Sequence, residues 1–350
     1  MKKSRIAGMG MYVPKNVVTN ADLMKHMDTT DEWIQQRTGV KERRYADRFG
    51  ETTTTMGTAA SLMAIADAGI TKEDVDFIIF ATLCPDYYFP GCGVLLQRDL
   101  GLTGRGALDV RNQCSGFIYA LSVADQFIRT GTYKNILVVG SEKHSFGLDF
   151  STRGRTVSVM FGDGAGAVIL QPSANENEGI LSVHLHSDGN GAEALAQFSP
   201  GTHSNHWMKT PVADYDEQDW FGNQYISHKM IDNAQVFPQM DGNAVMKRAI
   251  NYLPEVINEG LTANGLGIED INMLVLNQSN ARIAEFVQQK LGLTDDEIYI
   301  NIQRYGNTTA ASIPIAMFEA VKDGKLKRGD LLCLASYGSG YTWASAIIRF

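Results

Sequence analysis

The chain has 350 residues, of which 44% are hydrophobic and 20% charged, with a net charge of −8. That length buries a large core in one big domain or two, and the acidic balance argues against broad nucleic-acid or anionic-membrane binding. No apolar run approaches the ~20 residues needed to span a bilayer.

Residues 1–8 carry basic residues with no long apolar stretch behind them, so they read as a first strand of a cytoplasmic protein. Gly8-Met9-Gly10-Met11-Tyr12-Val13 lacks the third glycine and the following helix of a dinucleotide fingerprint. A helical pattern covers 53–68, and 75–83 is a short apolar run typical of a buried strand. A second helix is expected over 114–130 and a second buried strand over 135–140. Phe161-Gly162-Asp163-Gly164-Ala165 lies between apolar stretches and reads as a hairpin turn. Residues 171–178 are polar, with Pro, Ser, Asn and Glu, and divide the chain into halves at 1–174 and 175–350. Residues 189–234 are polar and irregular with several aromatics, and either cover a pocket or form a solvated loop. Helical patterns then cover 242–258, 281–291 and 310–321, with strand-like runs at 273–276 and 331–335. This alternation argues for α/β layers.

The halves echo each other. Residues 74–80 resemble 270–276, residues 134–140 resemble 329–335, and residues 165–170 resemble 343–348.

Cys114 sits where a buried-looking segment turns into a helix, because Phe117, Ile118, Leu121, Ala124, Phe127 and Ile128 recur at the helical period. Unpaired N–H groups and the helix dipole stabilise an anion at such a place, which lowers a thiol's pKa and suits a nucleophile. Taken alone, the same cysteine reads more readily as a small buried apolar residue, and its surroundings change that balance. Cys84, Cys92, Cys114 and Cys333 form no CxxC pair, so neither a disulfide framework nor a zinc site is expected. A serine hydrolase is a poor reading, because no GxSxG elbow is present.

The surroundings of Cys114 belong to a longer series of motifs. Asp31-Glu32-Trp33-Ile34-Gln35-Gln36-Arg37-Thr38-Gly39-Val40 comes first, then Asn112-Gln113-Cys114-Ser115-Gly116-Phe117 and Phe161-Gly162-Asp163-Gly164-Ala165. Met240-Asp241-Gly242-Asn243, Asn277-Gln278-Ser279-Asn280-Ala281-Arg282-Ile283, Tyr305-Gly306-Asn307-Thr308-Thr309 and Tyr337-Gly338-Ser339-Gly340-Tyr341 follow. In this order they resemble the β-ketoacyl-acyl-carrier-protein synthase III family of thiolase-fold condensing enzymes. The resemblance implies a thiolase-like α/β fold, with two similar βαβ-rich halves layered α/β/α/β/α. It implies a homodimeric acyltransferase that loads an acyl group from acyl-CoA onto Cys114. That group is then condensed with a malonyl- or β-ketoacyl-type thioester, in fatty-acid or related lipid or polyketide synthesis. Coenzyme A thioesters serve as substrates, with no other cofactor and no metal, and an acyl carrier protein is the expected partner.

The resemblance also assigns residues. Cys114 and Asn307 match two members of the family's Cys-His-Asn set, while Asn277 stands where the family carries His. An introduced change and a natural specialisation for acyl transfer both fit Asn277. No His follows His228, so none lies nearby in sequence to substitute. The N–H groups of Cys114 and Ser339 would receive the thioester oxygen. Trp33 and Arg155 would clamp adenine, Arg37 and Thr38 would contact phosphate or pantetheine, and Asn280 would bond the arm. Lys247, Arg248, Arg282 and Lys290 would form a basic rim for an acidic carrier protein, or are scattered solvated charges. Phe89, in Asp86-Tyr87-Tyr88-Phe89-Pro90-Gly91, would cross a dimer interface into the partner's acyl tunnel.

Overall fold

Runs of aliphatic residues with no solvent-facing side form the centre of each half, and each run is a strand of a five-stranded sheet. The computed structural model describes residues 2–201, 226 and 228–350. The first sheet contains β1 (Ser4–Tyr12), β2 (Phe77–Ala81), β3 (Gly106–Val110), β4 (Ile136–Glu142) and β5 (Gly164–Pro172). The second contains β6 (Gly179–Ser187), β7 (Met273–Leu276), β8 (Ile298–Tyr299), β9 (Leu331–Gly338) and β10 (Thr342–Arg349). The spatial order is β1-β5-β4-β2-β3 in one and β6-β10-β9-β7-β8 in the other. The pairing repeats as well. β1/β5 and β5/β4 are antiparallel and β4/β2 and β2/β3 parallel, as are β6/β10, β10/β9, β9/β7 and β7/β8 in turn. The three sequence echoes are therefore the pairs β2/β7, β4/β9 and β5/β10.

The main helices are α1 (Asp31–Thr38), α2 (Thr53–Asp67), α3 (Cys92–Asp99), α4 (Gly116–Arg129), α5 (Gly242–Ala263), α6 (Ala281–Leu291) and α7 (Ser312–Lys322). α4 and α7 lie between the sheets. Phe117 and Leu121 of α4 and Met317 of α7 share one core with Ile79 and Val138 of the first sheet and Leu332 and Ile348 of the second. The outer face of the first sheet packs on α2 and α3 through Met56, Ala60, Leu96, Phe80 and Val139. α5 and α6 cover the second through Leu253, Ile257, Val287, Leu274 and Ile347. The result is the α/β/α/β/α layering that the motifs imply. Burial of these side chains at ~25 cal/mol per Å² is the main force holding the layers together.

Both central helices begin in the same way. Gln113 and Thr309 hold left-handed φ angles of 44° and 43°, each three positions before the first residue of α4 or α7 (113 to 116, 309 to 312). Each strained residue opens a short 3-10 turn that leads directly into its helix. Such a backbone costs ~1–3 kcal/mol in a residue with a side chain and persists only where its surroundings over-determine it.

One expected turn is something else. Residues 161–165 do not close a hairpin, because a short helix, Arg155–Ser158, precedes them and β5 begins only at Gly164. Phe161 instead forms a bridge with Asn307 in the other half. The absent side chain of Gly162 lets the chain run against the Tyr305 carbonyl. Residues 202–225 and 227, most of the irregular 189–234 segment, lie outside the described residues. Among the described residues, no helix is long and apolar enough to cross a membrane.

The halves touch backbone to backbone at Gly140. A Cβ there would stand 2.2 Å from the Ala310 carbonyl oxygen. Gly140→Ala should therefore lower unfolding stability by about 3 kcal/mol or more, at or above the top of the range for overpacking. A urea midpoint unchanged from the parent would show that β4 and the start of α7 can part without cost.

Candidate active site

In parallel α/β sheets, ligands gather beyond the carboxyl ends of the strands, and the chemistry-bearing residues here converge at such ends. Leu83 and Cys84 follow β2, residues 111–114 follow β3, and Glu142 and His144 end and follow β4. From the second half, Asn277 follows β7, and Ser339 lies in the turn after β9. Asn307 is held by its own backbone: its N–H donates to the Met160 carbonyl at 2.7 Å, and its carbonyl accepts from Gly162 N–H at 3.1 Å. Its side-chain oxygen accepts from Thr309 N–H at 2.9 Å, which orients the amide.

Cys114 is 5% exposed and lies on the wall of two cavities, of about 390 and 440 Å³. Gly338 lies directly over it, where an added Cβ would come within 2.8 Å of the Cys114 Cβ. The thiol is not acidified as its helix-terminal place suggested. Burial and the nearby Glu142 carboxylate push its pKa up to about 12, against the opposing pull of its own N–H and the Asn277 and Asn307 amides. Desolvation outweighs the helix terminus because, among the described residues, no cation is close enough to the sulfur to offset it. Among the described residues, neither amide atom of Asn277, 7% exposed, meets a hydrogen-bond partner, although it lies close enough to Cys114 to favour the thiolate. A buried amide with unmet donors and acceptors is costly unless a ligand completes it.

The outer cavity is lined by Trp33, Arg37, Thr38, Asn280, Arg282 and Asn307, so six of the expected residues share one space with Cys114. Thr38 is buried and donates its hydroxyl to the Ile34 carbonyl at 2.7 Å, so its first duty is to α1. Asn280 caps α6 by accepting from Arg282 N–H and ties it to α1 by donating to the Arg37 carbonyl, both at 2.9 Å. Arg155 stands outside this lining. Its guanidinium rests 5.5 Å from the Trp33 ring centre, with Arg37 at 5.3 Å, so Trp33 already carries two cations and no purine-wide gap is open. Lys247 is exposed on α5 and lines neither cavity. Of the expected rim, Arg248 is paired with Asp188 and bonded to Tyr252, and Lys290 donates to the Ile250 carbonyl, while Arg282 opens onto the outer cavity.

The inner cavity is more apolar, with Leu83, Leu148, Phe161, Leu195 and Pro238 in its wall, and Ser339 beside Cys114. The Ser339 hydroxyl donates to the Leu195 carbonyl, so the described start of the 189–234 segment shapes this pocket. Phe89 is 81% exposed and lines neither cavity of its own chain, whereas its neighbour Tyr88 does. Sequence reasoning missed Cys84, His144 and Thr309, which line the inner cavity, and Glu142 behind them. Distance along the chain hid His144. The signal was the sequence Ser141-Glu142-Lys143-His144 at the carboxyl end of a buried strand.

The chain matches two family signatures, "3-Oxoacyl-[acyl-carrier-protein (ACP)] synthase III" over residues 108–189 and its C-terminal part over 261–350. It is 43% identical to a β-ketoacyl-[acyl-carrier-protein] synthase III of Xanthomonas campestris, over 99% of this chain and 98% of that one. The 3-oxoacyl-[acyl-carrier-protein] synthase III of Aquifex aeolicus superposes with a TM-score of 0.85 at 39% identity, covering 99% and 100% of the two chains. The priming β-ketosynthase of the R1128 polyketide pathway superposes with the same TM-score at 29% identity, covering 99% and 96%.

A thiol raised to about 12 is almost wholly protonated at neutral pH. Alkylation of Cys114 by iodoacetamide should then rise about tenfold per pH unit from pH 7 to 10, following the thiolate fraction. A plateau with a midpoint below pH 9, read by peptide mass spectrometry, would mean that the helix terminus prevails over burial.

Proposed function

The chain belongs to the 3-oxoacyl-[acyl-carrier-protein] synthase III family, and from that membership we propose that it is a condensing acyltransferase using Cys114 as its acyl acceptor. The observation that carries this reading is the place of the thiol, on the wall shared by a more apolar inner cavity and an outer one that also presents Arg37, Asn280 and Arg282. An acyl chain fits the first and a pantetheine arm the second. In the first stage the sulfur attacks the thioester carbon of an acyl-CoA, the carbon–sulfur bond to coenzyme A breaks, and the departing thiolate takes up the cysteine's proton. Negative charge on the thioester oxygen is received by the N–H groups of Cys114 and Ser339. In the second stage a malonyl thioester on an acyl carrier protein loses CO₂. Its enolate carbon attacks the acyl-enzyme carbonyl, the carbon–sulfur bond to Cys114 breaks, and the departing thiolate takes a proton from solvent. Coenzyme A thioesters are substrates here, and the scheme uses no other cofactor.

Asn307 and Asn277 would receive the enolate oxygen. Both offer only neutral donors, and Asn277 cannot titrate near pH 7. One weakened donor of this kind costs ~10²–10³ in rate, so acyl transfer outlasts condensation. The unpartnered Asn277 amide supports this division, because a bound thioester can complete it. A role restricted to acyl transfer is the second reading that this same observation favours. For coenzyme A, the purine would enter by displacing Arg155 from Trp33.

A homodimer is also proposed. β3 is the edge strand of the first sheet and exposes Leu108, while Tyr87, Tyr88 and Phe89 stand 55%, 62% and 81% exposed in the loop before α3. Open edges and exposed aromatic patches of this kind are normally covered. Light scattering should give twice the chain mass at micromolar concentration; a monomer would remove the assigned role of Phe89.

Intact mass after incubation with a panel of acyl-CoAs should show one acyl group, with the chain length reporting the donor. Cys114→Ala should gain none, and uptake by that variant would overturn the assignment of the acceptor. Asn277→His should raise malonyl decarboxylation by ~10²–10³ and acyl loading far less. Equal gains in both steps, or none in either, would dissolve the division of labour between Asn277 and Cys114.

A further inference from the structure

Cys84, Glu142 and His144 meet at the end of the first sheet, with sulfur, carboxylate oxygen and ring nitrogen all within 4.8 Å of one another. They come from the ends of two neighbouring strands, β2 and β4. Cys84 and His144 face the inner cavity. The Cys84 Sγ to His144 Nδ1 distance is 3.5 Å. A tetrahedral zinc ion holding sulfur at ~2.3 Å and imidazole nitrogen at ~2.05 Å sets those atoms ~3.6 Å apart.

One hydrogen bond holds the distal side of the ring: His144 Nε2 lies 3.0 Å from the Thr309 hydroxyl oxygen. With Nε2–H donated to that oxygen, Nδ1 is the free nitrogen, and it faces Cys84. Metal-binding histidines are held in this way, with the distal N–H donated to a second group that fixes the tautomer and the ring. The Glu142 carboxylate is anchored too, accepting from Leu83 N–H on both oxygens and from Thr82 Oγ1 and Cys84 N–H on Oε2. Oε1 accepts one of these bonds and Oε2 three, so Oε1 keeps more acceptor capacity.

We propose that Cys84, Glu142 and His144 form a binding site for a zinc-class divalent cation in the wall of the inner cavity, with the fourth position open to that cavity. Thiolate, imidazole and carboxylate together suit zinc or cobalt over the hard, all-oxygen preferences of magnesium and calcium. Binding exchanges the thiol proton for the metal: the S–H bond breaks, a sulfur–metal bond forms, and one proton leaves to solvent for each cation bound. The separation of the ligands along the chain, at 84, 142 and 144, is why CxxC spacing gives no sign of the site. The site stands on these three side chains and does not require the acyl-transfer reading.

The test is titration of the whole protein with cobalt(II) under reducing conditions, read by absorption. One equivalent should develop a near-ultraviolet thiolate-to-cobalt band together with the visible bands of a tetrahedral ion. Cobalt binding should release one proton per cation at pH 8, and zinc should then bleach both bands by displacing the cobalt. Cys114→Ala should keep the thiolate band and Cys84→Ser should lose it. His144→Gln should weaken binding at least tenfold, which serves if Cys84→Ser fails to match the parent's thermal melt. No thiolate band at one equivalent would overturn the proposal. So would a band lost in Cys114→Ala and kept in Cys84→Ser, which would place the metal on the other thiol.

Discussion

The two halves of the molecule touch main chain to main chain, and the site depends on that approach. Gly140 at the end of β4 lies against the Ala310 carbonyl, and Gly338 at the end of β9 lies against Cys114. In each case one half supplies a residue without a side chain, and the other supplies the turn before a central helix. Larger side chains at either place would drive the sheets apart, and the ends of α4 and α7 with them. The Phe161–Asn307 bridge is a further product of this closeness, since it places an amide from one half beside a thiol from the other.

Such close packing sets the electrostatics. Little solvent reaches Cys114, and the cost of a charge there raises the thiol from 9.0 to about 12, on the order of 4 kcal/mol against the thiolate. Glu142 feels the same environment and rises from 4.5 to about 7. The groups closest to the sulfur are amides and backbone N–H donors, which receive developing charge without carrying any. An arrangement of this kind favours a charge that appears only as thioester carbon and sulfur join, over a standing thiolate.

Much of the architecture was legible because apolar runs and helical periods are local. The expected helix over 281–291 coincides with α6, and the three echoes between the halves are three equivalent strand pairs. The candidate site was legible through its motifs: Cys114, Trp33, Arg37, Thr38, Asn280, Arg282 and Asn307 meet around one cavity, and Ser339 lines the other. What stayed hidden is set by three-dimensional surroundings. The acidity of Cys114 depends on how deeply it is buried, which a helix-terminal position does not reveal. Arg155 rests on Trp33 because both segments happen to pass there, and the resemblance alone suggested an open clamp. His144 lies 30 positions after Cys114, yet a neighbouring strand end carries it into the same cavity.

The paired left-handed residues, Gln113 and Thr309, have a bearing on ancestry. Counting from the two helices makes Ala310 the counterpart of Cys114 and Ala311 that of Ser115. Both halves thus retain the same contorted approach to a central helix, but only one bears a nucleophile, and Ala310, 1% exposed, is filler. A bend that is energetically unfavourable in both copies, and that serves a different end in each, is hard to explain as two separate inventions. It reads as an inheritance from a shorter forebear in which the two bends were alike, later kept in the second copy because Thr309 N–H holds the Asn307 amide and the Ala310 carbonyl seats Gly140. Divergence then acted on side chains while the main chain stayed as it was.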